Sequence, residues 1–229
     1  MYEHLQKEQY TFVDLKEIIA ALRSENGCPW DKVQTHESLK GCMKEEAYEV
    51  IEAIDELKED VQGEHLREEL GDVLLQVMMH SQIASEEQHF TVEDVVQEVA
   101  EKMVRRHPHV FGAISADTPE AALDTWEQAK EKEKGKSADK TSEMERVARA
   151  LPALIRCQKV LKKGGLITDT KTAVQRLAED VQAIGEAPDE EQIGQLLADV
   201  VNLAASRKIQ CEDALITIIE RIIAEAKIL

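Results

Sequence analysis

Carboxylate side chains occur at two closely spaced places in the chain and could together bind a cation. Glu45, Glu46 and Glu49 form the first group, and Glu69 and Asp72 form the second. On a helix with about 100° between successive residues, the first three lie within an arc of about 100°. The segment between the groups is short, so we expect two antiparallel neighbouring helices whose acidic faces meet. The meeting of these acidic faces predicts a metal site. If the first helix is considered alone, a solvated acidic surface is the alternative.

The helix that carries Glu69 and Asp72 is otherwise apolar. Its apolar residues are Leu70, Val73, Leu74, Leu75, Val77, Met78, Met79 and Ile83. A helix that is apolar on nearly all sides is typical of a buried position. An ionised carboxylate is costly there unless it is paired or binds a metal. We therefore predict that Asp72 lies inside the fold and belongs to a cation site.

The candidate ligands are all carboxylates, and hard oxygen donors favour Mg²⁺ or Mn²⁺ over zinc. The four cysteines contain no Cys-x-x-Cys pair, so a thiolate zinc site is not expected. A di-iron carboxylate bundle is disfavoured too, because Glu69-x-x-Asp72 lacks the histidine of the Glu-x-x-His motif. Magnesium, with manganese as the substitute, is the predicted cofactor.

The net charge of −18 argues against binding to nucleic acid or to an anionic membrane. The negative charge of the protein would repel an anionic substrate, so binding one would need a divalent cation and a local basic cluster. No apolar run approaches the roughly 18 residues that a membrane span requires. The N-terminal residues do not resemble a signal peptide, and the cysteines are best explained as reduced thiols. We therefore expect a cytoplasmic protein.

Helical periodicity dominates the chain, so we predict an all-α fold. The motif Gly71-Asp72-Val73-Leu74-Leu75 is matched by Ala198-Asp199-Val200-Val201-Asn202-Leu203, which indicates an internal duplication. The predicted organisation is two tandem four-helix units, at 1–132 and 143–229, joined by a charged linker at 133–142. The predicted helices lie at about 11–24, 36–59, 65–86, 91–106, 118 onward, 143–163, 172–185, 189–208 and 211–227, with an irregular segment at 107–112.

These motifs resemble those of the MazG family. The similarity lies in Glu45-Glu46-x-x-Glu49 followed by Glu69-x-x-Asp72, and it extends to the flanking residues 27–31, 105–111 and 126–127. It covers about residues 10–130, and the second half of the chain resembles the C-terminal repeat of the family more weakly. The resemblance implies an all-α hydrolase that cleaves a nucleoside triphosphate into a nucleoside monophosphate and pyrophosphate.

The resemblance also implies residue roles. Glu46, Glu49, Glu69 and Asp72 would bind Mg²⁺, and Glu45 is a candidate for orienting or deprotonating the attacking water. The chain has no Walker loop, so the metal and side chains must hold the triphosphate. A homodimer and a house-cleaning role in the nucleotide pool are further expectations.

The candidate substrate-binding residues are basic and aromatic side chains. The basic cluster that could contact the triphosphate is Lys102, Arg105, Arg106, His107 and His109. Its alternative is a solvated helix C-terminus, where cations suit the helix dipole. Trp30 could stack on a base, although a loop tryptophan could equally fill a core. His80 lies on the carboxylate side of its helix and is expected in the core or behind the ligands.

Two classes of function follow from these residues. The preferred one is the Mg²⁺-dependent hydrolase, and the alternative is a nucleotide-sensing or protein-binding regulatory module in which hydrolysis is secondary. In the second repeat, aligning the apolar residues places Glu179 opposite Glu46 and Asp199 opposite Asp72. The other three carboxylates are replaced by Ala178, Gln182 and Leu196, and two scattered carboxylates are too few ligands for a Mg²⁺–triphosphate site. We therefore predict that the second repeat is catalytically inactive.

Overall fold

The protein is described by a computed structural model that covers residues 2–60, 62–134, 140–185 and 188–226. Regular structure within these residues is entirely helical, which confirms the all-α class. A 3-10 helix at Glu3–Leu5 precedes twelve α-helices in the described ranges: α1 (Phe12–Arg23), α2 (Pro29–Lys32), α3 (Lys40–Glu56), α4 (Glu64–Glu86), α5 (Val92–Arg106), α6 (Pro108–Phe111), α7 (Pro119–Lys134), α8 (Lys140–Glu145), α9 (Ala153–Gly164), α10 (Thr170–Ala183), α11 (Glu190–Ser206) and α12 (Cys211–Ala226).

The chain divides into two compact units, Met1–Ala129 and Lys130–Leu229. These are called unit 1 and unit 2 below. The segment predicted as a charged linker falls partly on α7, which continues to Lys134, and partly on α8, which begins at Lys140. Residues 135–139 of that predicted linker lie outside the described part of the chain.

Helices α1 and α5 of unit 1 begin with capping boxes. The Thr11 hydroxyl accepts a hydrogen bond from the Asp14 backbone N–H, and the Asp14 carboxylate accepts one from the Thr11 backbone N–H. Thr91 and Asp94 repeat this arrangement at α5. Each box satisfies backbone donors that have no partner inside the first turn of a helix.

The core of unit 1 joins α1, α4, α5 and the turn before α3. Its buried side chains are Ile19, Leu39, Met78, Met79, Ile83 and Val92. Met78, Met79 and Ile83 come from the second half of α4, which packs against α1 and α5. Helix α4 also packs against α3, and this antiparallel pair carries the acidic residues.

Two details of unit 1 correct the predictions from sequence. Helix α4 is not buried on all sides, since the side chains of Leu70 and Leu74 are 52% and 38% exposed. Nothing in the described part of unit 1 covers that face. The segment 107–112, predicted as irregular, contains the short helix α6. Pro108 favours the start of this helix, because proline fixes φ near the helical value. Its missing N–H costs nothing there, since the first N–H of a helix has no partner within the helix.

Unit 2 consists mainly of α9, α10, α11 and α12, with α10 packed against α11 and α9 packed against both α11 and α12. The helix predicted at 143–163 is interrupted, because α9 begins only after Pro152. Helix α9 ends at Gly164, and the next residue, Gly165, has a φ of 65°, the left-handed conformation that glycine adopts without strain. None of the helices described in either unit has the length and apolar character that a transmembrane segment requires.

Candidate active site

The α3–α4 pair brings together acidic residues that are distant in sequence. Gly63 precedes α4 with a φ of 63°, which lets the chain reverse between the two helices. One carboxylate oxygen from each of Glu46, Glu49 and Glu69 lies within 4.8 Å of the corresponding oxygens of the other two. The sequence-based prediction that these three side chains meet thus agrees with the geometry.

The negative charges of these clustered carboxylates repel one another. Glu46 is half-buried, and its pKa is raised by burial, by a hydrogen bond to Glu49 and by the charges of Asp72, Glu49 and Glu69. The carboxylates therefore require a compensating proton or cation. A divalent cation fits this donor set because it would neutralise several carboxylates at once and takes oxygen ligands.

Asp72 and Glu45 lie beside the three converging carboxylates. Asp72 is half-buried rather than fully enclosed, and it is close enough for its charge to raise the pKa of Glu46. Glu45 lies next to Glu46 on α3 and is exposed to solvent. Asp72 is thus electrostatically part of the cluster, whereas Glu45 lies at its exposed side.

His65 is a site residue that the analysis of the sequence missed. Its Nε2 lies 3.2 Å from a carboxylate oxygen of Glu69, and its Nδ1 lies 2.8 Å from one of Glu56. The hydrogen bond to Glu56, together with the charges of Glu56 and Glu69, raises the pKa of His65. The signal that could have revealed it is the spacing of four residues between His65 and Glu69, which places both on one face of α4.

Trp30 lies on the short helix α2 rather than on the expected loop, and a buried arginine holds this helix and the turn after it. The guanidinium of Arg23 donates to the backbone oxygens of Asp31 and Gln34 at 2.6 and 3.1 Å and to the Glu86 carboxylate at 2.7 Å. The Arg23 side chain is only 5% exposed. Trp30 itself is 59% exposed, so it does not fill a core and its indole is accessible.

The predicted basic cluster lies at the end of α5 and in α6, and part of it has a structural role. The Arg106 guanidinium carbon lies 5.3 Å from the centre of the Trp126 ring, and His107 meets the same ring edge-on at 4.8 Å. These contacts hold α7 against the end of α5. Lys102 is half-buried and Arg105 is exposed.

His109 and His80 are both half-buried and each packs against another histidine. His109 packs against His107, with 5.5 Å between ring centres, and its buried Nδ1 has no hydrogen-bond partner among the described residues. His80 stacks on His36, and their Nδ1 atoms are 2.8 Å apart. One of these two nitrogens must carry a hydrogen and the other must accept it. His80 is therefore held by a histidine partner, as expected for a residue that is not a metal ligand.

The chain belongs to the MazG family. A family model described as a MazG nucleotide pyrophosphohydrolase domain matches residues 34–111, which include both acidic groups. The resemblance found in the sequence is thereby confirmed, and so is the assignment to a family of enzymes.

Relatives with similar sequences cover most of the chain. A Thermotoga maritima protein named nucleoside triphosphate pyrophosphohydrolase/pyrophosphatase MazG is 42% identical over 212 residues, which are 89% of this chain and 79% of that protein. An Escherichia coli nucleoside triphosphate pyrophosphohydrolase is 38% identical over 204 residues, 83% of this chain and 76% of the relative. The Bacillus subtilis protein YabN, described as uncharacterised, is 48% identical over 153 residues, 67% of this chain and 30% of its own length.

Proposed function

We propose that this protein hydrolyses nucleoside triphosphates to nucleoside monophosphates and pyrophosphate at the α3–α4 site, with Mg²⁺ or Mn²⁺ as the cofactor. The observation that carries the proposal is the convergence of the Glu46, Glu49 and Glu69 carboxylates within 4.8 Å of one another. The printed names of the Thermotoga maritima and Escherichia coli relatives support the same activity.

Glu46, Glu49, Glu69 and Asp72 are the residues that would hold the cation. When bound, Mg²⁺ would neutralise charge on the triphosphate and help to align it for in-line attack. Glu45, on the exposed side of the cluster, would orient the attacking water or accept its proton. His65 would keep the Glu69 carboxylate in position, because its imidazole lies between Glu69 and Glu56.

The remaining substrate contacts would come from outside the acidic cluster. Trp30 is exposed on helix α2, which Arg23 holds in place, and such an indole is suited to stack on a nucleobase. Lys102, Arg105, Arg106 and His109 would supply positive charge near the triphosphate. Arg106 would do so while it also contacts Trp126.

The setting of this activity is a further part of the proposal. We infer a cytoplasmic enzyme that removes unwanted nucleotides, including noncanonical ones, and that forms a homodimer without binding nucleic acid or membranes. The exposed apolar side chains of unit 2 suit a dimer contact, for example Val200, Ile218 and Ile222, which are 38%, 37% and 57% exposed. Sedimentation of the Ile218→Glu, Ile222→Glu double variant as a monomer, against a wild-type dimer, is the expected result.

Product analysis tests the proposed reaction. The purified chain is incubated with Mg²⁺ and a panel of canonical and damaged nucleoside triphosphates, and the products are separated by ion-exchange chromatography. Nucleoside monophosphate and pyrophosphate in equal amounts are expected. Nucleoside diphosphate and orthophosphate would contradict the assigned bond. Tight nucleotide binding without turnover across the whole panel would favour the sensing module instead.

A further inference from the structure

Unit 2 contains a cavity of about 400 Å³ beside the α10–α11 pair. The loop that follows α9 closes one side of it, and Leu161, Leu166 and Ile167 form an apolar wall. Ligand pockets for molecules of drug-like size measure about 300–1,000 Å³ and combine apolar walls with a few polar groups. This cavity has the size and the mixed lining of such a pocket.

The polar end of the cavity is a buried carboxylate. Asp199 is 6% exposed, and its Oδ2 accepts a hydrogen bond of 2.7 Å from the Gln195 side-chain amide. The carboxyl group of Asp180 meets Asp199 from α10, and this hydrogen bond raises the pKa of Asp180. A carboxylate oxygen has more than one lone pair, so Asp199 can accept further hydrogen bonds besides the one from Gln195. The cavity therefore offers acceptors to a ligand that carries N–H groups.

The loop beside the cavity is held in place without a ligand. The Asn202 side-chain oxygen accepts from the Thr168 backbone N–H at 3.1 Å, and its amide nitrogen donates to the Leu166 backbone oxygen at 3.3 Å. These bonds fix the loop between α9 and α10 against α11. A pocket that is already formed loses little conformational entropy when a ligand binds.

Cationic side chains also line or border the cavity. Arg176 belongs to its lining, one helical turn before Asp180 on α10. The Lys140 Nζ lies close to Gly165, 3.1 Å from where a Cβ on that residue would be. A ligand that fits must therefore present N–H donors to Asp199 and an anionic group to Arg176, with a body that suits the apolar wall.

These requirements exclude several classes of ligand. A polyamine would be repelled by Arg176, and a free amino acid is smaller than the cavity. A magnesium-bound triphosphate needs a cluster of acidic ligands, and in the described part of the chain such a cluster of three or more residues occurs only in unit 1. A nucleoside monophosphate meets the requirements, because its base carries N–H groups and its single phosphate suits the few cations present.

We propose that the unit 2 cavity binds a nucleoside monophosphate without a metal, with the base toward Asp199 and the phosphate toward Arg176. The choice of nucleotide rests on the proposed function, since a nucleoside monophosphate is the product of that reaction. The existence of the cavity, with its hydrogen-bond acceptors and cationic side chains, does not depend on the proposed function. Unit 2 then senses the product that unit 1 releases.

Isothermal titration calorimetry on the full chain in EDTA tests this proposal, because chelation removes the cation that the unit 1 site needs. The probes are AMP, GMP, CMP and UMP, with adenosine and leucine as comparison ligands. We expect one binding site per chain for at least one monophosphate. Arg176→Ala and Asp199→Asn should each weaken it by about tenfold or more, because each change removes the charge of a group that would hydrogen-bond the ligand.

Matched controls remove charge elsewhere in the same unit. Asp213→Asn and Arg221→Ala change exposed residues of α12 and should bind as the wild type does. Adenosine should bind more weakly than AMP and should not respond to Arg176→Ala, since it has no phosphate. Circular dichroism melting curves check that each variant is folded, and Arg176, which is exposed, can be changed without opening the core.

Three results would overturn the proposal. The first is no binding of any monophosphate by the wild type. The second is binding that Arg176→Ala and Asp199→Asn leave unchanged but that Glu49→Gln abolishes, which would place it in unit 1. The third is leucine binding with the same response to the variants. Pyrophosphate release, measured separately on the same samples, shows whether the proposed reaction stands or fails independently of this site.

Discussion

The α3–α4 and α10–α11 helix pairs have the same construction but carry different acidic groups. In unit 1, Glu46, Glu49 and Glu69 converge, and Asp72 adds its charge to them. In unit 2, Asp180 and Asp199 form a single pair beside a cavity. The larger cluster carries more negative charge to compensate, and a divalent cation is suited to do so. We infer from the comparison that the same helix pair can serve different ligands according to the number of carboxylates it carries.

The largest expected difference between the units concerns turnover. Glu49→Gln or Glu69→Gln should lower the rate of pyrophosphate release by about 100-fold or more, because loss of one ligand weakens charge neutralisation worth several kcal/mol. Glu52→Gln, which changes an exposed acidic residue on the same helix, is the matched control and should retain activity. Full Mg²⁺-dependent turnover in the Glu49→Gln, Glu69→Gln double variant would refute the site.

The next effect in size concerns stability. Met78 is 2% exposed, and Met78→Ala should destabilise unit 1 by about 2–5 kcal/mol because it leaves a cavity in the core. Hydrogen exchange followed by mass spectrometry should show faster exchange in α1, α4 and α5. Amides of α10 and α11 should exchange as in the wild type if the units unfold independently. Equal acceleration in both units would show that they unfold as one. Leu197→Ala, at a position 52% exposed, is the control.

A smaller effect is expected from pH and is confined to unit 1. Burial, together with the neighbouring His36, lowers the pKa of His80 below its usual 6.5. The unfolded chain therefore binds a proton more readily, so this contribution to stability is complete above about pH 6.5 and is lost as the pH falls toward the folded pKa. Glu87, 3.8 Å from His36, offsets part of this effect.

The measurement for this prediction is the midpoint of urea unfolding between pH 7.5 and pH 5.5. In His36→Gln the neighbouring imidazole can no longer be charged, so the midpoint should fall less with pH than in the wild type. The midpoint temperature of thermal unfolding at the same two pH values is an independent measurement of the same stability difference. An identical pH dependence in both proteins would rule out the histidine pair as its source.

The smallest expected effect lies in unit 2. Glu179 is exposed and its carboxylate accepts a hydrogen bond from the Gln175 side-chain amide at 2.9 Å, one turn earlier on α10. Glu179→Gln should change pyrophosphate release by less than about twofold, because surface substitutions away from special features have effects within about 0.5 kcal/mol. A loss as large as that of Glu49→Gln would mean that unit 2 contributes ligands to the reaction.

The sequence predicted the parts of the fold that depend on local rules. The predicted ranges of about 11–24 and 65–86 place α1 and α4 within one residue of their observed ends. The acidic residues of α3 and α4 were predicted to meet because a short connection makes neighbouring helices antiparallel. The spacing of residues along the chain and the length of the connections between helices suffice to predict such features.

Other features depend on contacts that sequence spacing does not encode. The exposure of Leu70 and Leu74 depends on which element covers α4, and apolar character alone does not reveal an absent neighbour. Asp180 meets Asp199, although the alignment of apolar residues had placed Glu179 opposite Glu46. A shift of one residue rotates a side chain by about 100° around its helix, and such an alignment does not resolve that angle.

Both tryptophans of the chain, Trp30 and Trp126, belong to unit 1. The exposed indole of Trp30 and the indole of Trp126, in contact with Arg106 and His107, occupy different surroundings and should emit at different wavelengths. Tryptophan fluorescence therefore observes only one half of the molecule. A titration or melting experiment followed by emission alone would miss every event confined to unit 2, whereas far-ultraviolet circular dichroism would record both halves.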